Sequence, residues 1–289
     1  MSVRQKITLI KKLLVDHIRN NVPDRRVAVL LSGGVDSITV GLAAQRAGKE
    51  VHAYSFQLGD QTSYDFAKAA EVAYKMRWDF TPVIVPRDNL IEDWHRLVAL
   101  GCRKKTHFET VFPFLYVYPL IQEKYVATGW GADGYFGVSK KAMMRYSSMT
   151  RGRNYVAYCK EHNQKRLTFN QFRESYFSAG NTAGLDWHTK VAVEHDKKHI
   201  TPYLDEAVSK YLMSKTYREL NTPKQKEIVR RDFTELKKFG KVETHINLHL
   251  GSGVDKLFGT LLNNQEINFK NRKRMMDVCR DWSNGVLHI

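Results

Sequence analysis

Two short strings carry residue types from which chemistry can be read. The first, Ser32-Gly33-Gly34-Val35-Asp36-Ser37, sets small or absent side chains just ahead of an acid. Such residues let the backbone turn tightly and bring its N–H groups close to an anion. Five apolar residues, Val27 to Leu31, precede the string; SITVGLAAQRAG follows, rich in Ala and closed by Gly48. A strand, a Gly-rich loop and a helix N-terminus in that order build a phosphate cradle. The string has no G-x-G-x-x-G and no Gly-Lys-Ser/Thr, which sets aside a dinucleotide fingerprint and a loop that grips phosphates with a lysine. A tight turn with no ligand is the bland reading. The second string, TGWGADGYFG from Thr128 to Gly137, spaces Gly129, Gly131, Gly134 and Gly137 around one carboxylate, Asp133. Its backbone can sit close to a ligand.

The elements that must hold these strings follow from the hydrophobic pattern. Val27 to Leu31 suits a strand buried on both faces, as in a parallel sheet. Further strands are expected along VHAYSFQ (51–57), DFTPVIVP (79–86) and YVATG (125–129). Between them, a helix along TSYDFAKAAEVAYKM opens on Thr62 and Asp65 as a capping box. Another, DNLIEDWHRLVALG, is capped by Asp88 and ends near Gly101. HFETVFPFLYVYPLIQE reads as a buried helix interrupted or started near Pro113. Repeated strand–helix pairs predict an α/β fold with a parallel sheet and right-handed crossovers. Beyond Lys140 the alternation stops and the pattern is mainly helical, without repeats or linkers. One domain over 1–289 is therefore expected: an N-terminal helix in 1–24, an α/β core in 25–140 and a helical part in 141–289. Val3, Ile7, Ile10, Leu14 and Ile18 give the first helix an apolar face. Ligands of open parallel sheets lie outside the carboxyl ends of the strands, so both strings share one edge. Ser55, Phe56 and Gln57 then meet the adenine or ribose of a bound nucleotide, with core packing of Phe56 as the competing assignment.

SGGVDS resembles the PP-loop of the ATP pyrophosphatases, which cleave ATP between its α and β phosphates, adenylate a substrate and hold the departing pyrophosphate. With TGWGADGYFG after the fourth strand, the chain resembles the synthetase domain of asparagine synthetases and relatives such as β-lactam synthetase. VEHDKKHITPYLDEAVSKYL (193–212) is similar to a family segment in which a basic residue precedes Pro202, Tyr203, Leu204 and Asp205. TPKQKEIVRRDF (222–233) resembles the later Lys-x-x-x-Arg helix, with Lys226 and Arg230 at matching places, and HLGSGVDKLFG from His249 resembles a Gly-rich turn. The resemblance implies a Rossmann-like PP-loop core and a nucleotide-binding set of Leu31, Ser32, Gly33, Gly34, Asp36, Ser37, Phe56 and Gly129. It implies Mg²⁺ on Asp36 and Asp133 against pyrophosphate, which suits hard carboxylate and phosphate oxygens in an octahedral shell. It also implies Lys226 as the cation that stabilises charge on the acyl-adenylate and its amine adduct. Lys224 rivals it, and solvated lysines are the bland reading of both. Asp36, Asp133 and Lys226 are thus the expected catalytic residues.

Two positions depart from the family pattern: Trp130 stands where an acid is usual, and Gly134 where a Glu follows the Asp. The match therefore does not carry asparagine formation with it. Trp130 instead walls an apolar or aromatic substrate pocket, or stacks on a base. The family's N-terminal glutaminase, which opens on a Cys after the initiator Met, is not expected, because Ser2 follows Met1 and 31 residues precede Ser32. Among His188, His195, His199, His245 and His249, the pair at 195 and 199 has i, i+4 spacing but no Glu beside the first, and zinc is not predicted. His195 and His199 flank the Pro-Tyr-Leu-Asp segment as candidate substrate contacts.

Composition bounds the rest. The 289 residues are 43% hydrophobic and 26% charged, and no apolar run approaches the roughly 18 to 20 residues that span a bilayer. Cys102, Cys159 and Cys279 give neither a disulfide framework nor a Cys-x-x-Cys site, so a cytoplasmic setting without membrane is expected. The net charge of +16 raises the question of polyanionic partners. Between Ser139 and Arg166, eight lysines or arginines stand against one acid, Glu161, with Tyr146, Tyr155 and Tyr158 among them. Such a stretch tracks nucleic acid, or is a solvated face that also neutralises ATP and pyrophosphate.

The expected activity is that of an ATP- and Mg²⁺-dependent carbon–nitrogen ligase. A carboxylate, or a carbonyl or amide oxygen, is adenylated and then attacked by ammonia or an amine, the nitrogen coming from free ammonia, an amine substrate or a separate glutaminase. Two other readings share the same residues: a PP-loop enzyme that modifies a base in tRNA or DNA, and a nucleotide-binding partner subunit without catalysis.

Overall fold

The computed structural model describes residues 9–102, 105–138, 165–178 and 185–242, with scattered positions between 142 and 163 and between 252 and 257. Strand β1 (Arg26–Leu30) shows why the sheet is covered on both sides. Successive side chains of a strand point to opposite faces. Val27 and Val29 join Ile10, Leu14, Ile18 and Ile38 in one core cluster, and Ala28 joins Trp94, Phe108 and Phe112 in another.

In chain order the described elements are α1 (Leu9–Asn21), β1, α2 (Val35–Arg46), β2 (Glu50–Leu58), α3 (Tyr64–Met76), β3 (Asp79–Val85), α4 (Leu90–Ala99), α5 (Lys105–Val111), α6 (Phe114–Val117), β4 (Tyr125–Ala127) and α7 (Ala132–Phe136). They continue with α8 (Phe169–Ser178), α9 (Leu185–Glu194), β5 (Lys198–Ile200), α10 (Glu206–Met213), α11 (Tyr217–Asn221) and α12 (Glu227–Asp232). All five strands are parallel, in the order β3-β2-β1-β4-β5.

The four expected strands form within a residue or two of their expected places. A fifth strand, not expected, lies in the part read as mainly helical: β5 pairs with β4 through Val126 and His199. Two of its three residues are Lys198 and His199, so it carries no apolar run; only pairing with β4 makes it a strand. Helix α1 buries Ile10, Leu14, Val15 and Ile18, the face expected from their spacing; Val3 and Ile7 lie outside the described residues. Two caps shift by one residue. Ser63, not Thr62, accepts the Phe66 N–H at the start of α3, and Asn89, not Asp88, is the cap position of α4. Pro113 separates α5 from α6. Cys102 and Cys159 are buried free thiols, and Cys279 lies outside the described residues. Among the described residues no helix is long and apolar enough to cross a membrane.

The amino-terminal edge of the sheet is tied by a buried polar network. Glu123, ahead of β4, accepts from the Tyr54 hydroxyl and from Arg26 Nε, each at 2.8 Å. His52 Nδ1 lies 2.8 Å from the same carboxylate, and His52 Nε2 lies 2.8 Å from the Thr81 hydroxyl. One acid thus joins β1 and β2, and His52 extends the network to β3, leaving the opposite edge for the two Gly-rich strings.

Candidate functional site

At the carboxyl edge β1 and β4 are neighbours, with Val29 paired to Ala127, although β2 and β3 come between them in the chain. The order of strands reverses there, and loops leaving two such strands diverge around a crevice. SGGVDS leaves β1 at this edge, and TGWGADGYFG leaves β4 beside it.

The first loop closes on its own serines. Ser32 N–H donates to Ser37 Oγ at 3.1 Å, and Ser37 Oγ donates to the Gly34 carbonyl at 3.2 Å. Gly33 has φ 71°, a left-handed conformation, and a Cβ there would lie 2.7 Å from Lys68 Cβ on α3. Gly34 caps α2, which puts Asp36 in the first helical turn. The Thr39 hydroxyl donates to the Asp36 carbonyl at 2.9 Å and lies 2.8 Å from the Tyr203 hydroxyl. Tyr203 comes from the Pro-Tyr-Leu-Asp segment after β5 and is fully buried. Its burial, reinforced by the negative charge of Asp36, raises the phenol far above its ordinary pKa and keeps it a donor.

The second loop lies directly against the first. A Cβ at Gly129 would fall 2.8 Å from Asp36 Cβ and 2.9 Å from the Ser37 nitrogen, so this glycine is what allows the loops to touch. Asp133 then occupies the first turn of α7.

Lys226 joins the two acids. It caps α12 with φ 58°, a conformation uncommon outside glycine, and its side chain is fully buried. Its ammonium donates to Asp36 Oδ2 and, at 2.5 Å, to Asp133 Oδ1. Burial pulls the ammonium's pKa down, but Asp133 and Asp36 together outweigh it and raise the pKa above the ordinary value. Asn221 fixes the lysine's backbone: its Oδ1 accepts the Lys226 N–H at 2.9 Å, and its Nδ2 donates to the Phe136 carbonyl of α7 at 2.8 Å. Lys224, the rival candidate, is exposed.

Two acids from separate loops therefore converge on one positive charge. That is the donor set a hard divalent cation requires, with phosphate and water oxygens left to complete its shell. The Lys226 ammonium is the stand-in ion that shows the fit. Among the described residues no group of three or more His, Cys, Asp or Glu is gathered for a metal; His245 and His249 lie outside them.

The other expected site residues are placed as follows. Leu31 is buried, and its N–H donates to the Tyr54 carbonyl at 2.9 Å, so its backbone rather than its side chain reaches the edge. Phe56 packs edge-on against Phe114 at 5.7 Å between ring centroids, which is the core assignment. Trp130 is half-buried and packs edge-on against His188, with centroids 4.4 Å apart. His188 is fully buried, Nε2 lies 2.8 Å from the Thr110 carbonyl, and burial pushes its pKa down to about 3, so the ring is neutral. His199 contacts Tyr118 through Nε2, and His195 is half-buried. The space beside Gly134 is filled: a Cβ there would lie 2.6 Å from the Phe177 ring and 2.7 Å from that of Tyr176, both on α8. The missing Glu has no room.

Thr39, Asn221, Tyr176 and Phe177 were not legible as site residues. Asn221 ends a helix one residue before Thr222-Pro223, which signals a chain reversal but not the bond to Lys226.

No curated protein matches the chain. Among solved structures it is similar to NMN synthetase from Francisella tularensis (14% identity, TM-score 0.36, covering 86% of this chain and 99% of that one). It is also similar to the NH3-dependent NAD synthetase from Campylobacter jejuni (15%, TM-score 0.33, covering 86% and 100%) and to a U34-tRNA thiolase from Methanococcus maripaludis (14%, TM-score 0.35, covering 86% and 84%). The asparagine synthase family model matches residues 9–239, a span that takes in both Gly-rich loops, β5 and Lys226, and the chain belongs to the asparagine synthase family.

Proposed function

We propose that the protein is an ATP-dependent adenylating ligase. The observation that carries this reading is the convergence of Asp36 and Asp133 on one cation beside a Gly-rich strand-to-helix loop. An oxygen of the acceptor carboxylate attacks the α phosphorus of ATP, the bond to the bridging oxygen breaks, and pyrophosphate departs into the Ser32–Ser37 loop. An amine or ammonia nitrogen then attacks the acyl carbon, the carbon–oxygen bond to AMP breaks, and the nitrogen gives up a proton. Mg²⁺, when bound, neutralises phosphate charge and draws electron density from the reacting phosphorus.

The residues divide this work by position. Backbone N–H groups at the start of α2 face the leaving phosphates, where the helix N-terminus favours negative charge. Asp36 and Asp133 would hold the metal. Lys226 supplies a cation for the oxyanions of the transferring group. Trp130 stands where the family usually has an acid and packs on a neutral His188, which favours an apolar or aromatic acceptor over aspartate.

Incubating the protein with ATP, Mg²⁺ and a cell metabolite extract, with mass-spectrometric detection of AMP-forming turnover, tests the reading and identifies the acceptor. Pyrophosphate release that disappears in Asp36→Ala, with the circular dichroism spectrum retained, supports it; undiminished release in that variant contradicts it. The basic excess between Ser139 and Arg166 favours a second reading, in which the acceptor is a nucleic-acid base. Most of that stretch lies outside the described residues. RNA or DNA binding with a steep salt slope distinguishes it.

A further inference from the structure

We propose that Lys226 and the metal exchange places: the ammonium between Asp36 and Asp133 is displaced when a divalent cation arrives with ATP, and the freed ammonium is then available to the reacting oxyanions. The inference rests on the adenylating reading above. It resolves a conflict of position within that reading, because the same two carboxylates are assigned to a metal and are bonded to a lysine.

Three observations carry it. First, the lysine bonds to both acids, one from each loop, so it sits where a metal bridging those loops must sit. A divalent cation held by the same oxygens would be repelled by an ammonium at contact distance. Second, the backbone is anchored independently of the head. The Lys226 N–H is anchored on Asn221, whereas the side chain is an unbranched stem with the ammonium 5.9 Å from the centroid of the Phe136 ring. Third, the phosphate cradle begins at Ser32 on the loop that carries Asp36, so a bound polyphosphate offers the displaced ammonium a new anion nearby.

The third point sets the order of binding. Metal together with ATP brings phosphate oxygens to the displaced ammonium, which metal alone does not. The site therefore favours the nucleotide complex over free divalent cation, with Lys226 as the gatekeeping charge.

Mn²⁺ binding followed by electron paramagnetic resonance on the full chain tests this without recourse to turnover. In the absence of nucleotide, wild type is expected to bind Mn²⁺ at least tenfold more weakly than Lys226→Met, in which the two carboxylates no longer bond an ammonium. With a non-hydrolysable ATP analogue, wild-type affinity for Mn²⁺ is expected to rise to that of the variant. Equal Mn²⁺ affinities for nucleotide-free wild type and variant overturn the proposal, as does an analogue that binds wild type without tightening Mn²⁺. Should Lys226→Met fail to fold, Lys226→Gln keeps an N–H donor without the charge and takes its place. Failure of the analogue to bind any form counts against the adenylating reading, while the nucleotide-free comparison still decides whether lysine and metal compete.

Discussion

Asn221 accepts the backbone N–H of Lys226 at 2.9 Å and donates to the Phe136 carbonyl at 2.8 Å, so one buried amide joins the lysine to the helix that carries Asp133. Asn221→Ala leaves a buried donor and a buried carbonyl without these bonds, each costing about 1–3 kcal/mol before relaxation. The expected outcome is a lower urea midpoint with unchanged slope, and pyrophosphate release reduced at least tenfold at temperatures where the variant remains folded.

Two of the second loop's glycines, Gly129 and Gly134, carry separate predictions. Gly129→Ala puts a Cβ within 2.9 Å of the Asp36 and Ser37 backbone, which cannot give way without moving the first turn of α2. Loss of ATP-dependent pyrophosphate release together with a lower urea midpoint is expected. Gly134→Glu, which restores the acid usual in the family, meets the rings of Tyr176 and Phe177 and is expected to destabilise by about 1–3 kcal/mol through overpacking. It should not gain activity towards aspartate.

Acid sensitivity is predicted to originate at the opposite edge of the sheet. Burial alone would raise the Glu123 carboxyl, but hydrogen bonds from His52 and Tyr54 outweigh it and hold the pKa below the ordinary range. A depressed carboxylate contributes stability above its unfolded pKa, near 4.3, that is lost as pH falls through the folded value. Urea midpoints measured between pH 6 and pH 3 should therefore fall for wild type and fall less for Glu123→Gln, whose midpoint is already lower at pH 6.

Asp65 on α3 has the opposite sign. Burial raises its pKa to about 7. The unfolded chain ionises it near pH 4 while the folded chain keeps the proton, so stability declines from about pH 4 to pH 7 and then levels. Asp65→Asn removes that decline. The variant is expected to gain on wild type progressively over this interval in thermal or urea unfolding.

Trp130 shields His188, whose pKa is pushed down to about 3 by burial. Trp130→Ala admits water to the ring, and the His188 titration followed by proton NMR should move up by at least one unit. An unmoved midpoint would mean that the neighbouring rings, Phe114 among them, suffice to keep it dry.

Much of the fold was legible because buried parallel strands leave long local signals. Val27 to Leu31, the Ala-rich helix after Ser37 and the apolar stripe of α1 each show the period of their own element. β5 was not legible, because three residues including Lys198 and His199 carry no period and acquire a strand conformation only from β4. The first-turn position of Asp36 and the glycines beside it likewise follow from local chain geometry, which neighbouring residue types control.

The sequence by itself determined which residue types are available: a Gly-rich corner after a buried strand, a second Gly-rich string with one acid, and a lysine far along the chain. Only the tertiary structure decided that Asp36, Asp133 and Lys226 meet. Their separations in sequence exceed anything a local pattern encodes, and the meeting depends on β4 returning beside β1 and on α12 closing over both loops. It also decided that Gly134 faces two aromatic rings and that Lys224 faces water, since side-chain surroundings are a property of packing between elements and not of any one segment.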